Sequence, residues 1–149
     1  MKTGFTLVEL LIVLGIVIVV SILSIPFIQS FQDSSDLQTY ADNLNYVLRR
    51  AHQQAVNGQN NSSWGVYFNE AGKNFTLFKG DSFATRDQSY DQAFDYPNIF
   101  NISTDFGDQI IFSVYSGQAS IAGSIIFSGK NNKQRIISIS SSNIIQVND

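Results

Sequence analysis

From Leu10 to Gln32 the chain runs for 23 positions without a charged residue. Nineteen of these, Leu10–Ile28, read LLIVLGIVIVVSILSIPFI. As a helix rising about 1.5 Å per residue they would span roughly 28 Å, close to the hydrocarbon thickness of a bilayer. A soluble core helix this apolar on every side would be out of place in a chain of 149 residues. A cleavable secretory signal would need a basic start, a shorter apolar stretch and a small-x-small site after it; Phe27, Ile28, Gln29 and Ser30 supply no such site. The run predicts a retained membrane-spanning helix at the N-terminus.

The rest of the composition narrows the chemistry. Hydrophobic residues make up 44% of the chain and charged residues 14%, where about 25% charged is usual. All the charged residues lie outside the apolar run, where the remainder is rich in uncharged Ser, Asn and Gln. With no cysteine there is no disulfide, thiolate site or thiol nucleophile. His52 is the single histidine, which argues against a multi-histidine metal site or a histidine relay; its spacing reads as a partly exposed helix position. No phosphate-cradling or dinucleotide glycine loop occurs, and no G-x-S-x-G. Asp81, Asp87, Asp91, Asp95, Asp105 and Asp108 are scattered without the clustered D-x-D-x-D-G pattern of a calcium loop. The expectation is no enzyme, no cofactor and no metal. A net charge of −3 also argues against broad electrostatic capture of nucleic acid.

Glu9 does not suit a plain anchor. A carboxylate deep in a bilayer costs on the order of 2.5 to 3.5 kcal/mol, less near the end of the span. It either snorkels to the headgroups or needs a cation. Lys2 is the only basic residue before Arg49. Proteolysis after Gly4 would create a cation, because the freed α-ammonium of Phe5 would lie four residues before Glu9.

KTG followed by FTLVELLIVLGIVIVV resembles the type III signal sequence of type IV prepilins and type II secretion pseudopilins. The resemblance covers about 25 residues. It implies that residues 1–4 are a leader, that a dedicated membrane peptidase cuts after Gly4, and that the same enzyme N-methylates Phe5. It also implies that Glu9 is the assembly glutamate and Pro26 the helix proline. In such filaments the apolar helices bundle at the centre. There Glu9 would be costly alone and compensated by a neighbouring subunit's Phe5 ammonium, a device for registry more than for stability. Pro26 removes a backbone hydrogen bond and is expected to kink or open the helix.

Beyond the apolar run, Leu37, Tyr40, Ala41, Leu44, Val47, Leu48, Ala51 and Ala55 recur at spacings of three and four. They predict an amphipathic helix over about 36–57, ended at Asn57-Gly58 by a left-handed residue and either continuous with the first helix or joined to it near Asp33–Asp36. Arg49-Arg50 reads as a solvated face or as a contact for a neighbouring subunit's acids. Strands are expected at 64–68, 75–78, 99–102, 110–115, 124–128, 135–140 and 144–147, with hairpin turns at 69–74 and 129–133. Residues 80–97 lack periodicity and read as a surface loop.

The reading is an α+β chain: leader 1–4, transmembrane and assembly helix 5–30, and a globular domain 31–149 with an antiparallel sheet over about 63–147. This second half is similar to the H-type minor pseudopilins and the related pilins of natural transformation (the GspH/FimT-like group). The similarity rests on a helix, WGVYF and FTLFKG about a hairpin, a Phe-to-Gly step at Phe112 to Gly117, and a final hairpin that carries Ser142-Asn143 where that group often has glycine.

Together the resemblances imply a structural pilin or pseudopilin subunit. It would start as a single-pass inner-membrane prepilin, N-terminus inside, and later join an extracytoplasmic filament or pseudopilus. The peptidase and methyltransferase, other subunits, an assembly ATPase and a platform protein are the implied partners. Two alternatives stay open. One is a DNA-uptake pilin using Lys130, Lys133 and Arg135, whose three charges would release only about three counterions and bind weakly. The other is a plain membrane-anchored binding domain.

Overall fold

The computed structural model describes the backbone of residues 6–130, 133–140 and 145–148, and the side chains of the same residues except 22–31, 33 and 145–148. The expected Ser142-Asn143 turn lies outside the described residues. The chain divides into two compact units, one ending at Ser35 and one starting at Asp36.

Helix α1 is a single element of 50 residues, Leu7–Val56. No break occurs at Asp33–Asp36 or at Pro26; a proline inside a helix removes one hydrogen bond, and here it does not end the element. In the second unit the apolar stripe is buried: Leu37, Ala41, Leu44, Val47, Leu48, Ala51 and Ala55 all join the core, and Tyr40 packs at its margin. Gly58, with φ 60°, turns the chain at the helix end, a left-handed conformation that glycine adopts without steric cost.

The strands are β1 (Trp64–Asn69), β2 (Asn74–Lys79), β3 (Asp87–Asp95), β4 (Asn101–Thr104), β5 (Gln109–Phe112), β6 (Gly123–Ser128), β7 (Gln134–Ile139) and β8 (Ile145–Asn148). They form two four-stranded sheets, not one: β3-β2-β1-β5 and β4-β6-β7-β8. Every named pairing is antiparallel. The hairpin from β1 to β2 closes at Asn69 opposite Asn74, and that from β6 to β7 at Ser128 opposite Gln134.

One core serves both sheets and the helix stripe. Trp64, Val66, Phe75, Leu77, Ile110 and Phe112 enter it from the first sheet, and Ile102, Ile125, Phe127, Ile137 and Ile139 from the second. Phe127 sits among aromatic rings, 5.5 Å from Tyr96 and 5.6 Å from Phe100 between centroids. These apolar faces drive the assembly, since burying a large side chain contributes about 1.5–3 kcal/mol.

Two strand expectations need correction. Residues 80–97 are not simply a surface loop, because β3 pairs along the edge of the first sheet with a register shift between Leu77 and Lys79. Its side chains are mostly exposed, so no alternation of apolar residues marks it; backbone pairing alone makes it a strand. The turn before it lays Phe83 flat on Tyr67, centroids 3.8 Å apart, with the Arg86 guanidinium 3.6 Å from the Phe83 ring. Strand β5 ends at Phe112, and Tyr115 belongs to the loop that follows, with φ 63°.

Candidate functional site

Gly4 and Phe5 lie outside the described residues. The first described residue, Thr6, starts the helix. Its Oγ1 accepts the Glu9 N–H at 3.3 Å, and its carbonyl accepts the Leu10 N–H at 3.2 Å. Thr6 is thus the N-cap and Glu9 the third helical residue, the spacing of a capping box. This role was legible as T-x-x-E. Besides the registry role implied by resemblance, Glu9 places negative charge at the positive end of the helix dipole.

Every large apolar side chain from Leu7 to Val20 is at least 50% exposed. Removing such a surface from water would be strongly favourable. Ser21 does not interrupt it, since its hydroxyl donates back to the Val17 carbonyl at 2.7 Å. Among the described residues no helix is long and apolar enough to cross a membrane. Residues 22–30 of the expected span over 5–30, Pro26 included, have side chains outside the described set.

The three cations named for nucleic acid surround one turn. Lys130 is exposed, whereas Lys133 and Arg135 are half-buried. The Lys133 N–H donates to the Lys130 carbonyl at 3.2 Å, and the Gly129 N–H to the Lys133 carbonyl at 2.9 Å. Arg135 pairs with Phe127 across the ladder and shares the strand face of the buried Ile137 and Ile139. The structure therefore brings the three to one hairpin end but does not present them equally to solvent.

Elsewhere the polar residues brace the fold. Arg50 Nη1 donates to Gln92 Oε1 at 2.8 Å, joining the helix to β3. Asp91 pairs with Arg86 at 2.7 Å and Asp87 with Lys79 at 3.3 Å. Asp105 accepts the Ser124 N–H at 2.8 Å. Among the described residues no group of three His, Cys, Asp or Glu side chains could hold a metal ion.

Sequence reasoning treated Glu70 only as part of a hairpin loop. Its carboxylate accepts from Lys73 Nζ at 2.6 Å, the Tyr96 hydroxyl at 2.9 Å and the Ile102 N–H at 2.8 Å. These bonds favour the ionised form and hold Glu70 below its ordinary range against the opposing effect of burial. Burial, then Glu70 itself, push the Tyr96 phenol well above its usual value. His52, half-buried with its ring edge-on to Phe112 at 5.6 Å, is lowered by burial.

In structure the chain is similar to the minor pseudopilin EpsH from the Type 2 Secretion System of Vibrio cholerae. The two align with a TM-score of 0.60 and 10% sequence identity, over 76% of this chain and 96% of that chain. The fold is pseudopilin-like. At this identity the likeness is one of architecture: an N-terminal helix packed on antiparallel sheets. No family model matches the sequence, and no curated protein matches it either. Within a pseudopilin-like fold, the step from Phe112 to Gly117 has a local reason. Phe112 meets the His52 ring, and Gly117, with φ 65°, lies where a Cβ would fall 2.7 Å from His52 Nε2.

Proposed function

We propose that the chain is a structural subunit, a pilin or minor pseudopilin, and not an enzyme. In this reading it is cut after Gly4, N-methylated on Phe5, held in the inner membrane by residues 5–30, and drawn into a type IV pilus or a type II secretion-type pseudopilus. The observation that carries the proposal is a conjunction. A pseudopilin-like fold is joined in the sequence to FTLVE, and the helix that opens at Leu7 exposes its apolar side chains from Leu7 to Val20 on all sides. Each half would be ordinary by itself; together they support the reading of a helix held first in lipid and then in a bundle of like helices.

The charges support the same picture. Removal of the leader would leave the Phe5 ammonium one residue before the Thr6 cap. Within a dry bundle, Glu9 then requires a cation from a neighbour, and only a subunit in the correct register offers one. The partners on this reading are the peptidase and methyltransferase, other subunits, an assembly ATPase and a platform protein.

The test is the mass of the N-terminal peptide from native membranes. A chain that begins at Phe5 with one added methyl is expected. An intact terminus that retains Met1 or Lys2 would overturn the proposal and leave a membrane-anchored domain.

A further inference from the structure

The loops at the C-terminal end of α1 carry features that assembly does not use. Residues 57–63 lead from the helix into β1, and residues 113–120 lead out of β5. The Tyr115 N–H donates to the Ala55 carbonyl at 2.8 Å, and the Tyr115 hydroxyl donates to Asn61 Oδ1. Four described non-glycine residues have positive φ, and three of them are here: Asn60 at 57°, Asn61 at 52° and Tyr115 at 63°. A bulky non-glycine residue such as Tyr115 persists in this conformation only where its surroundings impose it. The ring lies against Gly58, where any Cβ would overlap it, yet Tyr115 is 65% exposed. The result is an aromatic face fixed at both backbone and hydroxyl and open to solvent.

The surrounding chemistry limits what the face can bind. Residues 51–69 and 109–129 contain no Asp, Glu, Lys or Arg. Amides and hydroxyls dominate the exposed side chains of the two loops, among them Asn57, Gln59, Asn60, Ser116 and Gln118. Beside Tyr115 the large exposed apolar side chains are only Val56 and, one residue past the loop, Ile121. A phosphate-bearing ligand finds no counter-charge within these loops, and an apolar peptide finds little to cover. A ligand that suits them has no charge, an apolar C–H face to lie on the ring, and hydroxyls at its edge for the amides. Rigid tyrosine flanked by Asn, Ser and Gly is also an economical recognition surface, since little side-chain entropy is lost on binding.

We infer that the Tyr115 loops bind a neutral polysaccharide, with a pyranose ring stacked on Tyr115 and its hydroxyls bonded to the neighbouring amides. The inference does not depend on filament assembly. Its test is native electrophoresis of the purified full chain, in a detergent without a sugar headgroup, through gels containing dextran, galactomannan or hydroxyethyl cellulose. At least one polymer is expected to retard the chain, with no change in high salt. Tyr115→Ser should abolish the retardation and Tyr115→Phe should keep most of it. Gln118→Ala, which spares the backbone bonds of the loop, should weaken it severalfold at unchanged thermal stability. Three results would each overturn the inference: no retardation in any of the three gels, retardation of Tyr115→Ser and Gln118→Ala equal to that of the unchanged chain, or retardation that is lost in high salt.

Discussion

The Glu70 carboxylate accepts the Ile102 N–H at 2.8 Å, which ties the β1–β2 turn of one sheet to β4 of the other. Lys73 strengthens the same junction by donating to Asn101 Oδ1 at 2.8 Å. Two sheets that share no ladder are thereby joined through one turn as well as through the core. Glu70→Ala is expected to cost about 1–2 kcal/mol, the loss of two part-buried hydrogen bonds and an ion pair. Denaturant unfolding of the full chain checks this; a loss indistinguishable from zero would show that the junction is ornamental.

Acid should weaken the fold through two groups, the first from pH 6.5 downward and the second from pH 4.5 downward. His52 is lowered from 6.5, so the unfolded chain takes up its proton first, and stability falls as pH drops through 6.5 toward the folded value. Glu70 is lowered from 4.5; its contribution is full above 4.5 and disappears as pH falls through the folded value. Melting temperature against pH should therefore show two declines. His52→Gln should remove only the upper one, and Glu70→Gln should shrink only the lower, to which the lowered Asp87 also contributes.

Gly117→Ala is expected to destabilise more than Gly107→Ala. Both glycines have positive φ, 65° and 103°, but a Cβ at Gly107 meets nothing within 4 Å whereas one at Gly117 strikes Val56 and His52. Backbone strain alone should cost on the order of 1–3 kcal/mol at either position, with a packing cost added only at Gly117. Equal melting temperatures for the two variants would contradict this account of the loop against the helix.

Phe127→Ala should be among the most damaging single changes, about 3–5 kcal/mol. The ring is fully buried between Tyr96 and Phe100 at the meeting of the two sheets. A shift in the unfolding midpoint without a change in slope would locate the effect in the native core.

At the N-terminus, Gly4→Val should leave the leader uncut. Glu9→Val should permit cutting but nearly abolish filament incorporation, read by immunogold labelling of filaments. Normal incorporation of Glu9→Val would remove the registry role and leave Glu9 with its place in the helix cap alone.

The long apolar run, the amphipathic stripe from Leu37 to Ala55 and the hairpin at Asn69–Asn74 were all legible in the sequence. Each is a local pattern: the period of a helix, the alternation of a strand, the chemistry of a turn. The α+β class followed from their order along the chain. Strand β3 was not legible, because Asp87–Asp95 owes its conformation to the ladder with β2 and not to its own side chains. The division into two sheets, the Glu70 junction and the rigid setting of Tyr115 against Asn61 and Ala55 are likewise contacts between residues far apart in sequence. Hydrophobic periodicity reports which face of an element is buried, but not which distant element covers it. That choice is made only when the whole core closes and each buried polar group must find a partner.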